Sequence, residues 1–256
     1  MLNNLELEQI IDQKLNSNAI ADYAPNGLQV EGRQTVKKII TGVTATLPLI
    51  EKAIEKQADA ILVHHGYFWK SENPCIRGMK GKRIKQLLVN DINLYGYHLP
   101  LDIHPELGNN ARLAQQLGIV ELAGLEDKPN SIPVWGTLET PVSAQELAQR
   151  LEHILQRKPI VCDEFVADYP KKMIKTVGIC TGGGQGYIDL AAAKGIDAFI
   201  SGEISEQTTH SAREQGIYYF ACGHHATERD GIKALGEWLA KEYGLSVEFI
   251  DIDNPA

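Results

Sequence analysis

Two stretches of this chain repeat one plan. ITGVTATLPLIEKAIEKQADAILVHHG (40–66) lies over VGICTGGGQGYIDLAAAKGIDAFISGE (177–203), with the pairs Asp59-Ala60 and Asp197-Ala198 in register once a one-residue offset is allowed. Each copy runs from a β-branched apolar strand through a helical pattern into a second buried strand. Another helix and strand follow in each: GKRIKQLLVND and INLYGYH in the first, SEQTTHSAREQG and IYYFACGH in the second. Parallel strands need a crossover of about a dozen residues, which such helices supply. The expectation is an α/β fold of two similar α/β halves, an internal duplication with mainly parallel sheets.

Each half also opens with a helix, LELEQIIDQKL and then SAQELAQRLEHIL, the second starting on a capping box of Ser143 and Glu146. Between them LEDKPNSIPVWG carries two prolines and turn residues, which places the boundary near Asp127–Pro133. The halves are therefore expected at 1–128 and 129–256, with a discontinuous boundary left open. A helix around Gly231–Tyr243 and a strand in LSVEFIDI complete the pattern.

Bulk properties narrow the class. The chain has 256 residues, 43% apolar and 23% charged, which is ordinary globular composition. Its net charge of −8 argues against phosphate-backbone binding as the main task. The cluster Lys80, Lys82, Arg83 and Lys85 reads as a solvated helix face. No run of 18 apolar residues suggests a membrane helix, and MLNNLELEQII lacks the regions of a signal peptide. Cys75, Cys162, Cys180 and Cys222 are widely spaced and read as reduced thiols of a cytoplasmic protein.

Five of the eight histidines fall just past expected strands. His64 and His65 end ADAILV, His98 ends INLYGY, and His224 and His225 follow IYYFACG. The carboxyl ends of parallel strands are where ligands gather in α/β sheets. The repeat sharpens this, because His98-Leu-Pro-Leu-Asp102 and His224-His-Ala-Thr-Glu228 are both H-x-x-x-[D/E] at the same place in their half. In the second half this spacing shares a helix face; in the first, Pro100 favours a loop.

Imidazoles and carboxylates without thiolate suit Zn, Mn, Fe or Co. The candidates His64, His65, His98, Asp102, His224 and Glu228 are too many for one catalytic ion but suit two divalent ions sharing a carboxylate. His64 and His65 can each take one ion if the strand loses its alternation there, which Gly66 permits. His225 reads as standing behind the ligands, and His104, His153 and His210 as structural or exposed. CTGGGQG is an anion seat or a plain tight turn. Glu203 is a general base, a support behind the ligands or a surface residue. Tyr67, Phe68 and Trp69 either stack on a planar substrate or pack in the core.

ADAILVHHGYFW, NLYGYHLPLDIHPELGNN, CTGGGQG, DAFISGEISEQ and CGHHATERDGI together resemble the family labelled GTP cyclohydrolase I type 2 homologues, over essentially the whole chain. The motif positions match; Cys222 replaces an expected alanine and leaves the ligands untouched. The resemblance implies a dinuclear centre in a cleft shared by two α/β halves, within a toroidal homohexamer whose sites face its interior. It implies His64, His65, Asp102, His224 and Glu228 as metal ligands, Glu228 bridging, and His98 as a further ligand or a proton carrier. The label implies ring-opening hydrolysis of GTP. The function expected is a dinuclear metal-dependent hydrolase of a small polar or nucleotide-like substrate, with His98 as the catalytic proton shuttle. The alternative is a ring-shaped metal-binding scaffold or regulatory protein without turnover.

Overall fold

Side-chain alternation along the strands sets the layering. A computed structural model describes residues 1–164 and 173–256. It divides into two compact units, Met1–Leu107 with Gly231–Asp253, and Gly108–Asp230 with Asn254–Ala256.

In the first unit, α1 (Asn4–Leu15) starts on a capping box of Asn3 and Glu6. Strands β4 (Lys38–Thr44), β5 (Ala60–His65) and β6 (Asn93–Gly96) alternate with α2 (Leu47–Glu55) and α3 (Gly78–Val89). They run parallel, and β13 (Ser246–Phe249) joins them parallel to β4 while β2 (Gly27–Val30) closes the other edge antiparallel to β6. Ile39, Ala60 and Leu62 face α1 (Leu7, Ile11) and α10 (Arg229–Tyr243; Ile232, Leu235, Leu239). Ile40, Ile61 and Val63 face α2 (Leu49, Ile50) and α3 (Ile84, Leu87). Both faces are covered, so the strands read as unbroken apolar runs. A short antiparallel pair, β1 (Leu2–Asn3) and β3 (Thr35–Val36), lies outside this sheet.

The second unit repeats the order. After α5 (Asn109–Leu117) and α6 (Ala144–Leu155), β10 (Ile174–Cys180), β11 (Ala198–Ser201) and β12 (Tyr218–Ala221) run parallel around α7 (Ile188–Ala193) and α8 (Glu206–Gln215). Val177, Ile179, Ile200 and Phe220 pack on Leu113, Leu147 and Leu151 of α5 and α6. Phe199 and Tyr219 pack on Ala191 and Ala212 of α7 and α8. The repeated Asp-Ala pair has the same use in each unit. Asp59 accepts the Lys37 and Lys38 amides at 2.9 and 3.0 Å, and Asp197 accepts those of Lys175 and Thr176 at 3.0 and 2.9 Å, pinning the entry of the neighbouring strand.

One expectation is corrected. LEDKPNSIPVWG does not separate 1–128 from 129–256; it connects β7 (Ile119–Gly124) to its antiparallel partner β8 (Val134–Val142) within one unit. Proline and turn residues mark a chain reversal whether or not a unit ends there. The first unit ends about twenty residues earlier and regains Gly231–Asp253 because β13 pairs with β4, Val247 opposite Ile39. The parallel plan is as expected: the first sheet is parallel from β13 to β6, and in the second the parallel strands β10, β11 and β12 are flanked by antiparallel β8 and β9 (Ile160–Cys162). No helix among the described residues is long and apolar enough to cross a membrane.

Candidate metal centre

In the first unit, β5 carries His64 and His65 at its carboxyl end. His64 is buried, and its Nδ1 donates to the Tyr97 carbonyl at 2.9 Å, which makes Nε2 the lone-pair nitrogen; it lies 3.5 Å from Asp102 Oδ1. Successive residues of a regular strand point to opposite faces. Here the two imidazoles sit 4.5 Å apart, so the alternation breaks before Gly66. A Cβ at Gly66 would lie 2.0 Å from Gln29 Oε1, which accepts the Tyr67 amide. The half-buried His65 keeps its Nδ1 3.3 Å from Thr44 Oγ1 on the neighbouring strand. Ring nitrogens of His64, His65 and His98 all lie within 4.8 Å of one another.

Asp102 reaches this cluster from a single helical turn, α4 (Leu99–Asp102), not the loop expected from Pro100. Proline is tolerated in a first turn, where its missing N–H has no intrahelical acceptor. The Leu101 and Asp102 amides close the turn on the His98 carbonyl at 2.9 and 3.2 Å. His98 Nδ1 meets Asp22 Oδ1 at 3.0 Å, and Asp22 also accepts the Leu99 amide at 2.9 Å and Asn26 Nδ2 at 3.1 Å. Burial pushes the Asp22 carboxyl up, but His98, Asn26 and Leu99 together outweigh it and bring its pKa to about 2.

In the second unit, His224 opens the turn α9 (His224–Thr227) after β12. Its Nδ1 lies 2.7 Å from Glu203 Oε1 and its Nε2 3.3 Å from Glu228 Oε2. Burial lowers the His224 pKa, yet Glu228 and then Glu203 raise it further, to about 9. Glu228 is buried, and Gly182 makes room for it: at φ +63°, a Cβ there would meet Glu228 Oε1 at 2.2 Å and His224 Nε2 at 3.0 Å.

Each unit thus presents candidate metal ligands at strand ends. The profile of the Duf34/NIF3 (NGG1p interacting factor 3) family matches residues 2–255. The chain belongs to this family. It is 71% identical over 255 residues to the GTP cyclohydrolase 1 type 2 homolog of Pasteurella multocida (strain Pm70), with 100% of both chains covered. Among solved structures it is similar to the protein ybgI, with TM-score 0.94, 59% identity and full coverage of both chains. It is also similar to TTHA1606 of Thermus thermophilus, with TM-score 0.87, 33% identity and full coverage of both.

The other expected residues of this NIF3-family chain divide cleanly. Glu203 stands behind His224, with Gln185 Nε2 donating to it at 3.2 Å. CTGGGQG contains a tight turn whose Gly182 carbonyl accepts the amides of Gly202 and Glu203 at 2.9 and 3.1 Å. Tyr67 joins the core and the partly buried Phe68 packs against it, while Trp69 lies 5.0 Å from the His98 ring. His225 is buried, His104 Nδ1 accepts the amides of Glu106 and Leu107, and His153 and His210 are exposed. All four cysteines are free.

Reading the sequence missed Asp22, Thr44 and the Tyr97 carbonyl. Asp22 had one faint signal: DYAPNG holds Asp, Pro, Asn and Gly in six residues, which marks a turn but names no partner.

Proposed function

We propose that this chain is a dinuclear metal-dependent hydrolase of a small polar or nucleotide-like substrate. One observation carries the reading. His64, His65 and His224 each have Nδ1 against a carbonyl, a hydroxyl or a carboxylate, which leaves Nε2 as the ligating nitrogen. Metal-bound histidines are held this way, because the outer partner fixes both ring orientation and tautomer. The donor set fits borderline divalent ions, since it combines imidazole with carboxylate and contains no thiolate.

By the family resemblance, His64, His65 and Asp102 together with His224 and Glu228 would hold two divalent ions. Bound ions of this kind lower the pKa of water towards about 7 and neutralise developing negative charge. His98 is the proton carrier: Asp22 holds its Nδ1, and Nε2 takes and returns the proton. By the same resemblance the assembly is a toroidal homohexamer, which light scattering tests.

The test is turnover of phosphorylated, nucleotide and cyclic-amide substrates by metal-reconstituted protein and by His98→Gln. The expected result is metal-dependent turnover that falls at least about 100-fold in His98→Gln while bound metal is retained. Undiminished turnover in His98→Gln overturns the proton-carrier role, and loss of its metal makes His98 a ligand instead. No turnover of any substrate by metal-replete protein leaves the scaffold reading in its place.

A further inference from the structure

We propose that Tyr23 and Trp69 form a stacking subsite that seats the planar heterocycle of a small-molecule ligand beside His98. The inference rests on the hydrolase reading for the chemistry done there, but not for the binding itself.

Of the three aromatics after the histidines, Tyr67 is part of the core of the first unit and the partly buried Phe68 packs against it. Trp69 turns instead towards the imidazoles, with its ring 5.9 Å from that of His65 and 5.0 Å from that of His98, nearly perpendicular to the latter at 78°. Tyr23 comes from a distant part of the sequence to the same place. Its ring lies 5.7 Å from Trp69 and 5.0 Å from His98, again edge-on at 72°. The two rings therefore form one wall standing against the His98 imidazole.

That wall is rigid. Asp22, which holds His98, also accepts the amides of Tyr23 and Ala24 at 2.6 and 3.1 Å. The Lys70 amide donates to the Tyr23 carbonyl at 2.8 Å, which ties together the segments bearing the two rings. Trp69 Nε1 donates to the Gly66 carbonyl at 3.2 Å. The preceding Phe68 sits at φ +64°, a left-handed conformation that a bulky residue adopts only when its surroundings impose it. Yet Tyr23 is 55% exposed. A large aromatic ring on a hydrogen-bonded backbone, about half exposed beside a histidine cluster, has the makings of a platform. Its π face favours a flat partner in offset stacking, and such stacking tolerates many ring identities.

The probe is calorimetric titration of metal-loaded protein with adenosine, guanosine and cytidine, and with ribose as a control lacking the ring. Saturable binding of at least one nucleoside and none of ribose is expected. Tyr23→Leu should weaken it about ten-fold, the usual scale of one lost stacking contact, and Tyr23→Phe should not. Elemental analysis of Tyr23→Leu should show unchanged metal, which separates a lost platform from a damaged site. Equal binding by wild type and Tyr23→Leu, or no nucleoside binding to wild type, overturns the subsite. Nucleoside binding without turnover of any substrate sinks the hydrolase reading and leaves the subsite standing. Turnover with a KM indifferent to Tyr23→Leu does the reverse.

Discussion

The two units use one sequence spacing, H-x-x-x-[D/E] on a helical turn, and reach different electrostatic results. In the second unit Glu228 meets its own motif partner, and Glu203 stands on the other side, so a single imidazole lies between two carboxylates. In the first, Asp102 turns to His64 on a different strand, while His98 is taken by Asp22 from a distant turn. One cluster is rich in imidazole, the other in carboxylate. The spacing fixes that both ends of the motif share a helical turn; which neighbour each end meets depends on what the rest of the unit packs against it.

The largest effect should come from removing one ligand from either set. His64→Ala and Glu228→Ala, purified separately and assayed for metal by elemental analysis, should each lose most of their bound metal. If one variant keeps full occupancy, the centre rests on the other unit alone; if both do, neither set binds metal.

Backbone crowding comes next. Gly182→Ala pushes a methyl group towards the buried Glu228 carboxylate at a left-handed φ, and should cost about 1–3 kcal/mol in urea unfolding. Gly186→Ala in the same motif has open space and should be nearly neutral. Equal effects would remove the reason given for the first of these glycines.

The units should also fail at opposite ends of the pH scale in metal-free protein. Asp22 has a folded pKa of about 2, below its unfolded value, so its contribution is full above about pH 4 and lost as pH falls through 2. Asp22→Asn should therefore cost about 2 kcal/mol at neutral pH and little at pH 2. His224 is raised to about 9, so its contribution is full below its unfolded pKa of about 6.5 and lost as pH rises through 9. Urea midpoints against pH check both limbs, and an alkaline limb that survives in His224→Gln would detach it from this residue.

The smallest effects belong to the residues that only orient ligands. Thr44→Val and Glu203→Gln should each weaken metal affinity roughly ten-fold without unfolding the protein, as read by competition with a chelator. If Glu203→Gln matters and Thr44→Val does not, the carboxylate-rich unit is the one that depends on outer support.

Much of this was open to inspection in the sequence, and the reason differs from residue to residue. The strand endings at His64, His65, His98 and His224 follow from apolar runs and helix spacing, both local. Asp22 escaped because its partner His98 is 76 positions away, and nothing near it distinguishes a buried carboxylate from a turn residue. Pro100 misled because proline breaks helices in their interior, whereas here it stands in a first turn. The β7–β8 connection misled because turn chemistry reports a reversal, not a boundary.

By itself the sequence determined the α/β class and the strand ends that carry the imidazoles, because side-chain periods of two and about 3.6 are written residue by residue, and its motifs carried the family resemblance. Tertiary structure alone decided that Gly231–Asp253 returns to the first unit, that Asp102 serves His64, and that Asp22 serves His98. Those choices depend on which surfaces are buried together, and burial joins residues that no local pattern connects.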